Sequence, residues 1–343
     1  FMNNFTSFLS HFGKHFFKKD FKHMILHVTN HCNFRCSHCF VDFSNPQRDL
    51  KLNHYQNISN NINNLFWLDI AGGEPFLRND LYKIVNMFKS QIVTIPTNGW
   101  LLENILNQIE LIDKKNTELV INLSLDGLEE THNKVRKNEQ SWDKVWNSFE
   151  ALKKIKKIKT RFITVVHNQN YDEIIPLMKL VQKSGADYHS VILLRGQTLD
   201  SHVKLPSFDD LDILAVKMNE ILEKYNYGSN YLTATILKNY HRYLWNLSMN
   251  TLRKKTQVIP CLAGDSHLVV WGNGDLSSCE MLPSVGNVTE KPIKEILQGK
   301  KFKSQLQSIK NKECHCTHNC AFITSILFNP KLWHNLAFQK KIN

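Results

Sequence analysis

The sequence predicts an α/β fold, a partial (β/α)6 TIM-like barrel followed by a small C-terminal cluster-binding extension. Three observations predict it. Between His23 and Arg195, short apolar runs alternate with helical periods, giving six βα units in about 180 residues. That rhythm belongs to a parallel sheet with right-handed crossovers. Eight units would close a barrel, so six leave it partial. Finally, the eight cysteines fall into two groups, Cys32–Cys39 and Cys261–Cys320, with none between them.

Residues 1–22 form an N-terminal extension. Phe1, Phe5, Phe8, Phe12 and Phe16 recur every three or four residues beside Lys14, Lys18 and Lys19. This is an amphipathic helix, expected to cover one end of the barrel rather than lie on a membrane surface. Residues 23–200 make the barrel. Its strands are His23–Val28, Phe66–Ile70, Ile92–Thr97, Val120–Leu125, Arg161–Val166 and Ser190–Leu194. Helices are expected over His54–Asn63, Asp80–Ser90, Leu101–Asn107, Trp142–Ile155 and Asp172–Ser184. Residues 201–260 are a helical connection, with one helix at Phe208–Tyr225 and then a polar, mixed stretch to Pro260. The extension, 261–323, begins with a hairpin read as a module separate from the barrel: His267–Trp271, a turn at Gly272-Asn273-Gly274, and a strand into Cys279. Asn-Gly at the tip is a strong hairpin signal. Helices at Pro292–Gln298 and Phe302–Ile309 lead into Cys314–Cys320, and 324–343 is a tail.

Composition excludes several classes. The chain has 343 residues, 42% apolar and 22% charged, an ordinary globular balance. No run reaches the roughly 20 apolar residues of a membrane span, and Phe1–Phe17 has no continuous apolar core of a signal peptide. The net charge of +12 is spread without a long single-sign block, so it reads as solvated helix faces rather than a nucleic-acid interface. Two tight cysteine clusters without an export signal point to metal in a reducing cytoplasm rather than to a secreted disulfide scaffold.

Cys32, Cys36 and Cys39 follow directly on the first strand. Three thiolates on one short loop suit an iron–sulfur cubane, whereas structural zinc is the rival and normally takes four ligands. His31 and His38 read as loop residues rather than added ligands. The CxxxCxxC spacing resembles the signature of the radical S-adenosylmethionine (radical SAM) superfamily, and further motifs follow in the expected order. Ala71-Gly72-Gly73-Glu74-Pro75 resembles the family's GGEP segment, Thr97-Asn98-Gly99 its TNG turn, and Ser124-Leu125-Asp126-Gly127 with His132 and Arg136 its ribose- and carboxylate-binding segment. The resemblance covers roughly His23–Arg195. It implies a catalytic 4Fe-4S cluster on the three cysteines, with an open iron that chelates S-adenosylmethionine. An electron from the reduced cluster then breaks a carbon–sulfur bond, and the 5′-deoxyadenosyl radical abstracts hydrogen. It also implies that Gly72, Gly73 and Glu74 receive the amino group, that Asn98, Ser124 and Asp126 line the pocket, and that Arg136 meets the carboxylate. His38 stands where the family carries a larger aromatic residue beside the adenine. Glycines 72 and 73 allow close backbone approach to a ligand.

Cys261, Cys279, Cys314, Cys316 and Cys320, with the hairpin and helices between them, resemble the SPASM or twitch extensions of radical SAM enzymes. Five cysteines rather than seven imply one auxiliary 4Fe-4S cluster on four of them. Cys261, Cys279 and Cys320 rank first, and Cys316 ranks before Cys314 as the fourth. Zinc is again the rival. His315 and His318 are expected to be exposed or to sit behind the ligands.

The implied activity is radical chemistry of an oxidoreductase type on a peptide. An alternative is dehydrogenation or rearrangement of a small sugar, alcohol or lipid precursor; a non-catalytic metal protein that binds nucleic acid is a third reading. A flavodoxin or ferredoxin is the expected electron donor. No winged-helix leader-binding domain is read before the barrel.

Overall fold

The computed structural model describes residues 13, 20–41, 43, 48–62, 64–225 and 231–339. The amphipathic helix read from Phe1, Phe5, Phe8, Phe12 and Phe16 lies outside them, Gly13 excepted. Six strands run parallel, each paired with the next: β1 (His23–His27), β2 (Leu65–Ala71), β3 (Ser90–Thr97), β4 (Glu118–Ser124), β5 (Ile158–Val166) and β6 (Tyr188–Leu193). The helices between them are α1 (Leu52–Asn61), α2 (Leu81–Met87), α3 (Leu102–Leu111), α4 (Glu129–Arg136), α5 (Ser141–Leu152) and α6 (Ile174–Ser184). Strand ends and helix bounds match the sequence reading to within a few residues. The exception is α4, a short polar helix that the sequence pattern does not mark. It carries Glu129 and Glu130 in its first turn and Lys134 and Arg136 in its last, a charge order that suits the helix dipole.

Strand side chains alternate between two faces, and the alternation separates stability from chemistry. Met24, Leu26, Leu68, Ile70, Val93, Ile95, Leu119, Ile121 and Leu123 point outward into the main core beneath the helices. Each large apolar side chain buried there contributes about 1.5–3 kcal/mol. The intervening residues Ile25, His27, Trp67, Asp69, Asn122, Ser124, Arg161, Ile163 and Val165 line a cavity of about 260 Å³ in the lumen. Because the core lies outside the strands, the lumen is free to be polar.

Beyond β6 the structure departs from the sequence reading in three ways. The hairpin is not a separate module. Its first strand, β7 (His267–Val270), pairs in parallel with β1, and β8 (Asp275–Ser277) and β9 (Gly286–Asn287) extend the same sheet. The strand order is β6-β5-β4-β3-β2-β1-β7-β8-β9. An unpaired β1 edge would leave a row of bare backbone groups, which β7 satisfies. The turn forms as expected, with Gly274 at φ +91°. Next, the helical connection holds a second long helix, in the polar stretch before Pro260, that the sequence reading did not place. After α7 (Phe208–Glu223), α8 runs from Tyr231 to Lys254. Residues 243–249 of α8 are buried all round, so no single apolar stripe marks the helix in the sequence. The last difference is at the end of the chain, where the tail read from 324 on is largely helical as far as Phe338. After α9 (Ile293–Gln298) and α10 (Lys300–Lys310), α11 (Asn319–Leu327) places Ile323 against Phe66, Trp67, Ile92 and Val120. Thr324 Oγ1 lies 2.8 Å from His23 Nδ1. These partners stand at or near the amino ends of their strands, so α11 seals that end of the lumen. Helix α12 (Trp333–Phe338) then docks on α8, where Asn239 donates to the carbonyls of Leu336 and Ala337. Among the described residues, no helix is long and apolar enough to cross a membrane.

Candidate functional site

The carboxyl ends of β1 to β5 carry the site, as in βα barrels generally. The loop after β1 wraps Cys32, Cys36 and Cys39 around a hollow of about 90 Å³, also lined by His38, Gly73, Glu74, Asn98, Ser124 and Arg136. Thus all eleven barrel positions singled out in the sequence, Gly72 and Asp126 included, lie at or beside one small space.

The two glycines do more than admit a ligand. A Cβ on Gly73 would lie 2.1 Å from the His31 carbonyl oxygen, and one on Gly72, at φ +135°, would lie 2.3 Å from that of Thr29. Gly73 and Glu74 donate backbone N–H bonds to those same carbonyls at 2.8 and 2.9 Å. The close approach they permit is to the cysteine loop itself, which they hold in place.

Glu74 ties three loop ends together. Its Oε1 accepts from Thr97 Oγ1 at 2.9 Å and from Phe76 N–H at 3.3 Å, and its Oε2 accepts from Asn98 N–H at 2.8 Å. Burial pushes its carboxyl up to about 7, against these hydrogen bonds. Asn98 donates to Asn33 Oδ1 within the cysteine loop at 2.9 Å.

Arg136 is buried, not a surface ion pair. Its Nη2 lies 2.5 Å from Asp126 Oδ2 and its Nη1 lies 3.5 Å from Cys36 Sγ. Asp126 is fully buried. Although burial works to raise it, Arg136, His38 and His132 hold its carboxyl well below the usual carboxylate range. Burial lowers His38 to about 4, so the ring is neutral; it stacks on His167 at 5.6 Å and 20°.

The donor set fits a cubane and a polar adenosyl cofactor. Burial raises Cys32 to about 12 and Cys39 to about 11, and thiols so reluctant to ionise become thiolates when a cation holds them. The buried nitrogens His38 Nδ1, Arg136 Nε and His167 Nε2 have no hydrogen-bond partner among the described residues. Among those residues, no three His, Cys, Asp or Glu side chains close on one metal ion.

The second group assembles from three segments. Cys279 and Cys316 act on each other, pulling the Cys316 thiol down and pushing the Cys279 thiol up, and Cys261 feels the charges of both Cys314 and Cys316. Cys261, Cys279 and Cys314 share one apolar cluster with Ala263 and Ile309. Gln257 Nε2 fixes the knuckle by donating to the Cys314 and Ile309 carbonyls at 3.0 Å each. Cys320, ranked with Cys261 and Cys279 from sequence, lies 3.2 Å from Asp69 Oδ2 at the wall of the lumen. Its place at the start of α11, the lumen plug, aims it inward.

Between the two groups lies the lumen cavity, bounded by His38 and Cys39 on one side and Glu280, Asn319 and Cys320 on the other. Glu280 joins the barrel to the extension. It meets His27 Nε2 at 2.8 Å, His318 Nε2 at 2.5 Å and Arg195 Nη2 at 3.1 Å. His318 Nδ1 lies 3.6 Å from Cys279 Sγ, so it sits behind a thiol as expected, while His315 is exposed. Sequence reasoning did not single out His27, Asp69, His167, Arg195 or Glu280. The one available signal was Glu280's position directly after Cys279.

Comparison with known proteins agrees with this arrangement. The family model "Radical SAM superfamily" matches residues 26–181, and the SPASM model, an iron–sulfur cluster-binding domain, matches 261–321. The chain is similar to the GTP 3′,8-cyclase of Campylobacter jejuni, 27% identical over 264 residues, 70% of this chain and 79% of that protein. Among solved structures it is similar to Streptococcus suis SuiB bound to S-adenosylmethionine, with TM-score 0.62 and 18% identity over 88% of this chain and 71% of that one. It is equally similar to anSMEcpe with bound AdoMet, with TM-score 0.62 and 17% identity over 92% and 98% of the two chains.

Proposed function

This chain belongs to the radical SAM superfamily and carries a SPASM domain, and from that premise we propose a division of labour among its residues. Cys32, Cys36 and Cys39 hold the catalytic 4Fe-4S cluster. Cys261, Cys279, Cys314 and Cys316 hold an auxiliary one. The substrate enters the lumen between them. The observation that carries this reading is the 260 Å³ cavity, which has Cys39 of the catalytic group on its wall and, in Glu280, the residue directly after Cys279 of the auxiliary group. When bound, the catalytic cluster and S-adenosylmethionine supply the electron and the hydrogen-abstracting chemistry.

The protein's own part is positioning. Glu74 faces the hollow with a proton it holds up to about pH 7; an ammonium group placed there favours the carboxylate instead. Asp126 keeps Arg136 charged and oriented beside Cys36, ready for a carboxylate. His38 and His167 offer a neutral stacked platform to an adenine. Helix α11 closes the amino end of the lumen, which keeps water from the reacting centre.

We put first a peptide substrate whose side chain enters the lumen. SPASM proteins often act on ribosomal peptides, and two proteins of the same fold, SuiB and anSMEcpe, have been solved with peptides bound. A second reading, a nucleotide-sized small molecule, is supported by the cyclase relatives and by a cavity below the usual range of about 300–1,000 Å³. A cytoplasmic setting with a flavodoxin or ferredoxin as electron donor accords with eight unpaired cysteines. The test is anaerobic reconstitution of the wild type. About eight irons per chain, as two cubanes require, and 5′-deoxyadenosine formation under dithionite are expected. Zinc in place of iron, or no cleavage of S-adenosylmethionine, would overturn the reading.

A further inference from the structure

The basic side chains that line the lumen cavity are His27, His38, Arg161 and Arg195. Three of them answer acids of the protein: His27 and Arg195 hold Glu280, and His38 faces Asp126 at 3.7 Å. Arg161, on β5, is different. Its Nε donates to Asn122 Oδ1 on β4, and its guanidinium carbon lies 5.7 Å from the centre of the Tyr188 ring. Among the described residues its two terminal nitrogens have no hydrogen-bond partner, and no carboxylate comes within 4.0 Å of it. Asp69, whose carboxyl feels its charge, is bonded to Thr94 and Cys320 instead.

A guanidinium inside a barrel is costly to leave unanswered. Here it is held rather than loose: Asn122 is itself 2% exposed and fixes the Nε edge, and the neighbouring ring limits its swing. That leaves the outer fork, two parallel N–H donors, unengaged on a residue that lines the cavity. This fork matches the two oxygens of a planar or tetrahedral oxyanion. On the same cavity wall, Asn319 at the start of α11 presents a buried Oδ1 that has no hydrogen-bond partner among the described residues.

We propose that Arg161 binds an oxyanion of the substrate, a carboxylate or a phosphate, through its terminal nitrogens, and so orients that molecule in the lumen. Asn319 accepts a hydrogen bond from a hydroxyl or N–H elsewhere on the same molecule. This rests on the reading of the lumen as the substrate chamber. It narrows the substrate to one carrying an anionic group that reaches Arg161 in the lumen, whether an acidic residue of a peptide or the phosphate of a nucleotide.

The test is calorimetric titration of the anaerobically reconstituted full chain with S-adenosylmethionine present. Salt is kept at about 0.15 M so that surface charge is screened beyond about 8 Å. The probes are GTP and inorganic pyrophosphate for the phosphate source, and succinate and a short Glu-containing peptide for the carboxylate source. At least one probe should bind the wild type and bind Arg161→Gln about tenfold to a hundredfold more weakly. Arg161→Lys, which keeps the charge but loses the fork, should fall between. Arg253→Gln, which removes an exposed charge paired with Asp212, should bind as the wild type does. If Arg161→Gln does not fold, as judged by circular dichroism, the Lys variant carries the comparison. Equal affinity in the folded Arg161 variants and the wild type, or no binding of any probe, would overturn the proposal. Formation of 5′-deoxyadenosine by the same wild-type preparation separates the two failures. Its absence counts against the radical reading, whereas its presence with unchanged binding counts against Arg161 alone.

Discussion

In the barrel, three thiols arrive on a single loop, Cys32–Cys39, clamped from below by Gly72 and Gly73 and from the side by Arg136. In the extension, the converging thiols come from three places: Cys261 before β7, Cys279 after β8, and Cys314 and Cys316 beyond α10. A loop of this kind is ordered by its immediate neighbours, so losing its metal ligands removes chemistry and leaves the sheet intact. A site drawn from distant segments also staples those segments together, and its cluster contributes folding free energy. The contrast predicts that equivalent lesions at the two sites have unlike consequences.

The largest effect belongs to the barrel. Cys36→Ala should abolish 5′-deoxyadenosine formation while the thermal midpoint moves little, because Cys36 packs at the loop and not in the main core. Retained cleavage, measured by chromatography of the reaction mixture, would break the comparison at its first term.

The mirror lesion, Cys261→Ala with Cys279→Ala, should leave about half the iron, that is one of two cubanes, and should still allow cleavage of S-adenosylmethionine. It should also lower the midpoint by several degrees, since β7 and β8 are sheet strands next to β1, and a loss of about 1 kcal/mol shifts a chain of this size by roughly 2–4 °C or less. Full product yield from this folded variant would show that the second cluster has no role in turnover.

Gly73→Ala sharpens the first half without touching a ligand. Its Cβ would lie 2.1 Å from the His31 carbonyl, so the cysteine loop must shift, at a cost of about 1–3 kcal/mol. Iron should fall at the barrel site alone, which electron paramagnetic resonance of the reduced protein would resolve into two signals. Equal loss at both sites would mean that the glycine supports the whole fold rather than the loop.

The smallest effect separates Cys314 from Cys320. Cys314→Ser should lose auxiliary iron, and Cys320→Ser, whose thiol faces Asp69, should keep it. The reverse result would restore the order read from spacing, with Cys320 as ligand and Cys314 as bystander.

Much of the barrel site was legible because its signals are local. Cys32, Cys36 and Cys39 lie within a few residues of one another, and each further motif ends its own strand, which is where a βα barrel puts its loops. What Glu74 does there was not legible. Its two oxygens are taken by Thr97, Asn98 and Phe76, and only the assembled loops show it as the joint between them. The same holds for Gly73, whose tight neighbour is the protein's own backbone at His31.

The alternation of strand and helix periods, the Gly272–Gly274 turn and the Cys32–Cys39 loop were determined by the sequence alone. Each depends on residues within one turn or strand of its neighbours, where propensity and spacing act directly. The tertiary structure decided the rest: that β7 continues the sheet from β1, that residues 243–249 of α8 are buried on all sides, and that α11 plugs the lumen. It also decided that Cys320 faces Asp69, 251 positions away, and that Arg161 stands in the cavity without an acid of its own. These outcomes depend on which distant surfaces meet, and burial at such meetings outweighs the weak local preferences that a sequence displays.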